Sequence, residues 1–316
     1  MRLVMMGTGR FALPTFLGLY DTPHEVVGLF TQPDRAGRGR HQHPHPMKDA
    51  ARERGTPVFQ PDSVNTPSAL ADLRSLRPDL CVVAAYGQIL SAELLSIPPQ
   101  GAINVHASLL PRHRGAAPVQ YAILCGERET GVTIFQIDPR LDAGPVLAVE
   151  RTAIGPRETS GELEQRLAVL AAPLVRRVVD QIAGGTTRPQ PQDAARATKA
   201  PRLRKEQGAI DWTKAAVEID CHVRAMQPWP TAYTSFPLPG GQALRVIVLE
   251  VAPLDVERPG PPGTLAETDR RLVVCCGRGA VEIIRLKPEG KREMGAAEFL
   301  HGHPLRPGDR LTPPPI

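Results

Sequence analysis

Four short stretches early in the chain are almost wholly apolar: 2–6, 24–31, 80–85 and 102–106. Segments of helical length stand between them, at 11–20, 48–54, 68–76 and 92–95. Strands apolar on both faces and alternating with helices predict a parallel sheet covered on both sides. The N-terminal half therefore reads as a doubly wound, mostly parallel α/β domain. Pro118 opens a short predicted helix over 118–125, and residues 131–137 alternate like a strand. A long helix is predicted over 160–182, with the start signal Thr159-Ser160-Gly161-Glu162 and a stop at Gly184-Gly185.

Residues 186–205 contain prolines and no apolar periodicity, as an interdomain linker does. Beyond them one helix, 215–225, precedes β-rich runs at 244–250, 271–275 and 281–286, punctuated by Gly/Pro turns at 237–241 and 259–263. This spacing predicts a small β-barrel. The expected organisation is a first domain over 1–185, a linker over 186–205 and a second domain over 206–316.

Composition fits that division. At 316 residues the chain exceeds the roughly 250 at which single cores stop growing. With 41% hydrophobic but only 4% aromatic residues, the core must be built from Leu, Val, Ile and Ala. No uninterrupted apolar run approaches the ~18 residues of a membrane span, and Met1 to Gly7 is too short for a signal peptide, so it reads as a first strand. Five cysteines without metal-ligand spacing fit free thiols in a reducing cytoplasm. The net charge of +5 favours a polyanionic partner modestly.

Three features offer chemistry. Gly7-Thr8-Gly9-Arg10-Phe11-Ala12 fits G-x-G-x-x-A between a strand and a helix, with Asp34 placed as a ribose-binding acid would be. The same residues serve as the tight corner of any such fold. The basic loop 35–48 reads as a phosphate-contacting arm or as a solvated charge run. Its alternating His41, His43 and His45 match no known metal-site spacing.

The densest chemistry lies in 101–144. Asn104 and His106 end an apolar run, a Pro/Arg/Gly loop follows, and Asp138 and Asp142 lie in a tight loop on turn residues. An Asn amide can bind an oxyanion, an imidazole can move a proton near neutral pH, and a carboxylate can fix or charge the ring. Together Asn104, His106 and Asp142 can support acyl transfer, with direct attack by a substrate amine because no nucleophile elbow is present. The alternative is that Asn104 and His106 are hydrogen-bonded strand residues with structural roles.

The run from Asn104 through Pro111 to Gln120 resembles the signature of folate-dependent formyltransferases. Thr31-Gln32-Pro33-Asp34, Tyr86-Gly87-Gln88-Ile89-Leu90, Leu141-Asp142-Ala143-Gly144, Ile210-Asp211-Trp212 and Pro228-Trp229-Pro230 are similar to that family in order and spacing. The resemblance implies a Rossmann-like catalytic domain followed by an OB-like tRNA-binding barrel. It also implies formyl transfer from 10-formyltetrahydrofolate to the amino group of methionyl initiator tRNA, without a metal, by a cytoplasmic monomer. On matched positions it implies catalytic places for Asn104, His106 and Asp142. Folate-binding places fall on Ser108, Leu109, Leu110, Pro111, Tyr86, Gly87, Gln88, Ile89 and Leu90, and tRNA contacts on Arg38, Arg40 and Lys205. The oxyanion is expected to be met by the Asn104 amide and a protonated His106, with Asp142 orienting the ring. The chain departs from the family at Gly9-Arg10, in a basic loop one residue short, and at Pro139-Arg140. Rival readings are formyl transfer to an amino-sugar nucleotide, a nicotinamide oxidoreductase using Gly7, Gly9 and Ala12, and a non-catalytic RNA-binding protein.

Overall fold

A computed structural model describes residues 1–34, 45–238, 243–256 and 260–312. The chain divides into two compact units: Met1–Pro118 with Glu129–Ala153 and Leu163–Pro201, and Val119–Arg128 with Ile154–Glu162 and Arg202–Ile316.

In the first unit, strands β1 (Arg2–Gly7), β2 (Glu25–Phe30), β3 (Val58–Phe59), β4 (Leu80–Ala84), β5 (Ala102–His106), β6 (Glu129–Gln136) and β7 (Val146–Ala153) form one sheet in the order β3-β2-β1-β4-β5-β6-β7. The first five are parallel; β6 runs antiparallel to β5, and β7 antiparallel to β6. Helices α1 (Gly9–Leu19), α2 (Pro46–Glu53), α3 (Pro67–Ser75) and α4 (Ala92–Leu95) fill the crossovers. Pro at the first or second helical position opens α2 and α3, and the Thr66 and Ser91 side chains accept from backbone N–H groups in the first turns of α3 and α4. The wholly apolar runs are buried as expected, β4 along its full length. Helix α5 (Pro118–Leu124) follows β5, and α6 (Ser160–Ala183) follows β7. The sequence pattern misses β7 because none of its residues is fully buried and alternate ones, Val149, Arg151 and Ala153, are exposed, with Glu150 and Arg151 breaking the apolar run.

Residues 186–201, expected to link the domains, belong to the first unit. Gln190 pairs with Val146 across a two-way backbone bond, and Lys199 bridges to Arg114. These attachments are made by main chain and amides, which leave no apolar periodicity to read.

The second unit has helix α7 (Ala216–Ala225) and strands β8 (Ala232–Pro237), β9 (Ala243–Leu254), β10 (Leu265–Glu267), β11 (Leu272–Cys275), β12 (Ala280–Pro288) and β13 (Met294–Gly295), with α8 (Ala296–Gly302) after them. The sheet is antiparallel in the order β10-β11-β12-β9-β8, with β13 on β12. Its two outer strands do not stay open. Residues 309–312 bridge to Ser235 on β8 through Thr312 and to Thr264, beside β10, through Arg310, which closes the sheet as a barrel. Strand β8 escapes the sequence reading because its buried centre is Thr234 and Ser235; Thr234 Oγ1 accepts from Trp212 Nε1 at 3.1 Å.

All five cysteines are free thiols, and burial pushes those of Cys81 and Cys276 up to about 12. Among the described residues no helix is long and apolar enough to cross a membrane.

Candidate active site

Strand order reverses between β1 and β4, and ligands of such sheets bind beyond the carboxyl ends of the strands there. Gln32, just after β2, ties these ends together. Its Nε2 donates to the Tyr86 carbonyl at 2.8 Å, its N–H donates to Thr8 Oγ1 at 3.2 Å, and its carbonyl accepts from Gln60 Nε2 at 2.9 Å.

Asn104 and His106 lie two residues apart on β5, so their side chains share one face. The Asn104 carboxamide is half-buried and makes no hydrogen bond among the described residues. His106 is buried, with 5% of its surface exposed. Its Nε2–H donates to the His113 carbonyl at 2.9 Å, which fixes the neutral tautomer and leaves the Nδ1 lone pair toward Asp142 Oδ2, 3.9 Å away. Burial pulls the His106 pKa below the ordinary imidazole value, against the upward pull of the Asp142 carboxylate and the His113 carbonyl. Burial thus favours the neutral ring, whose Nε2–H is committed to the His113 carbonyl and whose open nitrogen is Nδ1.

Asp142 reaches His106 by a route the sequence does not reveal. Because β6 is antiparallel, Gln136 at its end lies level with Ile103, not with His106. The loop 137–145 must return over the face of β5 that carries Asn104 and His106, a climb of about 10 Å at the rise of a strand. Asp142 turns within that loop at φ 48°. Its Oδ2 accepts the Gly115 N–H at 2.7 Å, and Gly144 packs so tightly that a Cβ would stand 1.8 Å from the Gln136 carbonyl oxygen.

The residues expected to bind folate divide into two kinds. Tyr86 is 2% exposed within the β1-β2-β4 core, Ser108 Oγ donates to the Arg112 carbonyl at 2.7 Å, and the Gln88 amide holds Val64 N and Pro61 O. These three side chains shape the loops. Ile89 is 84% exposed, Leu109, Leu110 and Pro111 are half-buried, Leu90 packs on the core, and Gly87 turns the chain at φ 78°. Behind the second loop, the fully buried Thr133 Oγ1 donates to the Ser108 carbonyl and accepts the Leu110 N–H.

Comparison with known proteins gives the family of the chain. The formyl transferase family model matches residues 1–179, and the model of the formyl transferase C-terminal domain matches 202–304. The chain belongs to the formyl transferase family. It is 45% identical over 314 residues to the methionyl-tRNA formyltransferase of Trichlorobacter lovleyi, covering 99% of this chain and 97% of that protein. The protein of the same name from Methylococcus capsulatus is 45% identical over 312 residues, covering 98% and 99%. Among solved structures, the N-formyltransferase from Helicobacter canadensis in complex with folinic acid and dTDP-3-aminofucose shares the fold with a TM-score of 0.66 at 16% identity, covering 89% of this chain and 98% of that one. HypX from Aquifex aeolicus in complex with tetrahydrofolic acid gives a TM-score of 0.61 at 18% identity, covering 95% of this chain and 46% of that longer one.

In this formyl transferase the first glycine turn has a packing role. A Cβ on Gly7 would stand 2.9 Å from both Ala12 Cβ and the Ala84 carbonyl oxygen. Asp34 is engaged by Lys48 and by Gln60 Nε2, and these bonds, Lys48 first, hold its carboxyl below its usual pKa. Though exposed, it ties the loop after β2 to α2 and to Gln60. His45 Nδ1 accepts the Lys48 N–H at the start of α2. Arg38, Arg40, His41 and His43 lie outside the described residues; Lys205 is exposed. Among the described residues no cluster suited to a metal is present.

Sequence reasoning missed Gln192 and Thr198, which hold the site from the expected linker. Thr198 Oγ1 accepts the His113 N–H at 2.8 Å, and the Thr198 carbonyl accepts the Arg114 N–H at 2.9 Å. Isolated polar residues in a polar stretch carry no signal for such roles.

Proposed function

We propose that this chain transfers the formyl group of 10-formyltetrahydrofolate to the amino group of methionyl initiator tRNA. The reading is supported by the 45% identity, at nearly full length, to methionyl-tRNA formyltransferases. The observation that carries the chemistry is a neutral, buried His106 with one nitrogen committed to His113 and the other open toward Asp142.

The donor supplies an activated formyl carbon. The unpartnered Asn104 amide donates to the formyl oxygen as charge develops there. His106 accepts a proton from the attacking amine at Nδ1, with the Asp142 carboxylate stabilising the imidazolium that forms, and returns it to N10 of the donor as the bond from N10 to the formyl carbon breaks and tetrahydrofolate leaves. The half-buried and exposed apolar side chains of Ile89, Leu109 and Leu110, with the main chain of 86–90, offer a flat apolar wall to the donor's ring system. Tyr86, Gln88 and Ser108 hold the loops that form this part of the donor site. The chemistry belongs to the domain expected over 1–185. Arg38, Arg40, Lys205 and the barrel region 206–316 contact the tRNA. The enzyme works in the cytoplasm as a monomer.

Incubation with the formyl donor and methionine-charged initiator or elongator tRNA tests this reading. Formylation of the initiator species is expected. Transfer to an amino-sugar nucleotide with neither tRNA formylated would replace it.

A further inference from the structure

The loop that carries Asp142 is held by one side chain fifty residues further along the chain. Gln192 Nε2 donates to the carbonyl oxygens of Asp142, at 3.0 Å, and Gly144, at 2.8 Å. Its Oε1 accepts from Nε and Nη2 of Arg114, at 3.2 and 2.7 Å. A carboxamide has two N–H bonds and one carbonyl oxygen with two lone pairs, so the group is fully used. The contacts also fix its orientation: a reversed amide would press its oxygen on two carbonyls and its N–H bonds on a guanidinium.

The bonds close a ring. Arg114 is followed by Gly115, whose N–H donates to Asp142 Oδ2 at 2.7 Å, and Asp142 returns to Gln192 through its own carbonyl. We propose that Gln192 is a positioning residue for Asp142, clamping the 142–144 turn to Arg114 so that the carboxylate stays on the Gly115 N–H and beside His106. The loop needs such a clamp because it returns over β5 from the far end of β6, with Asp142 in a left-handed conformation that a non-glycine residue keeps only where its surroundings enforce it. Glutamate cannot replace Gln192, since it would set carboxylate oxygens against two carbonyls. Asparagine is one methylene too short. The role in turnover rests on the catalytic reading of Asn104, His106 and Asp142.

The test combines kinetics with hydrogen exchange on the full chain. Gln192→Ala is expected to lower kcat on the order of 100-fold, as for a catalytic group displaced by about 1 Å, with KM for donor and methionyl-tRNA unchanged. Gln192→Glu, which keeps length and the Arg114 contact, should lose as much. In the Asp142→Asn background, Gln192→Ala should cost nothing further. Wild-type kcat in Gln192→Ala, or losses that add in the double variant, would overturn the clamp. Exchange of the Gly115 amide is read without turnover: it should be slow in the wild type and faster in Gln192→Ala, and equal protection in both would overturn the clamp. A wild-type chain that formylates no tRNA would count against the substrate reading alone, with the Gly115 amide still deciding the clamp.

Discussion

His106 and Asp142 face each other across 3.9 Å, with the imidazole's other nitrogen bonded to the His113 carbonyl. The separation exceeds a hydrogen bond, so the carboxylate acts on the ring through its charge. It also leaves the Nδ1 lone pair open to a proton.

The pH profile should report that charge. On the proposed mechanism turnover needs an unprotonated Nδ1, and burial holds the His106 pKa below the ordinary imidazole value, so activity should persist as pH falls through about 6.5 and decline below it. Asp142 raises the His106 pKa, so Asp142→Asn should move the acid limb to still lower pH while reducing the plateau about 100-fold or more. A limb displaced upward would contradict the arrangement.

Asn104→Ala removes an amide that the proposed mechanism sets against the formyl oxygen. Losing an oxyanion donor costs about 3 kcal/mol, or ~100-fold or more in rate, so single-turnover formylation should slow by that much while donor affinity is retained. Full activity would sink the assignment.

Folding should carry its own pH signature. Burial lowers the pKa values of both His106 and His222 in the folded chain. As pH falls below 6.5 the unfolded chain takes up protons that the folded chain does not, so stability falls with pH from there down to the folded values. The urea midpoint should decline on acidification, and replacing either histidine by asparagine should flatten the slope.

Gly144→Ala would place a Cβ 1.8 Å from the Gln136 carbonyl oxygen, with backbone on both sides of the contact. The turn must open, at a cost of about 3 kcal/mol by analogy with overpacked cores. A lower denaturation midpoint and a disproportionate loss of kcat are expected, because the displaced turn carries Asp142.

Salt should weaken tRNA use steeply, since each phosphate contact releases counterions. Arg38→Ala should raise KM for methionyl-tRNA and reduce the salt slope, with donor affinity untouched. An unchanged kcat/KM would refute the contact.

The parts of the fold legible in the sequence are those whose burial is one-sided or complete. Strand β4 is apolar throughout and buried throughout, and β5 ends at His106 as its run predicts. Residue type alone marks Asn104 and His106, because an amide and an imidazole on a buried strand call for a reason. Strands β7 and β8 carry no such mark: β7 has no fully buried residue and is interrupted by Glu150 and Arg151, and the buried centre of β8 is Thr234 and Ser235. Gln192 and Thr198 hold the site through main-chain partners, and main chain has no identity in a sequence. The path of the 137–145 loop depends on β6 being antiparallel, which its alternating pattern does not state.

The bridges from 309–312 to Ser235 and Thr264 also set a timetable. The barrel closes only when the 309–312 strip is present, so Ser235 must wait for a partner 77 residues further along the chain. Until then β10 and the Ser235 end of β8 offer unpaired edges, as they would in a chain truncated before Asp309, while the Tyr233 end of β8 is already paired by Ala209 and Ile210. The 309–312 strip thus covers two sheet edges at once, the positions where strand-to-strand association between chains would start.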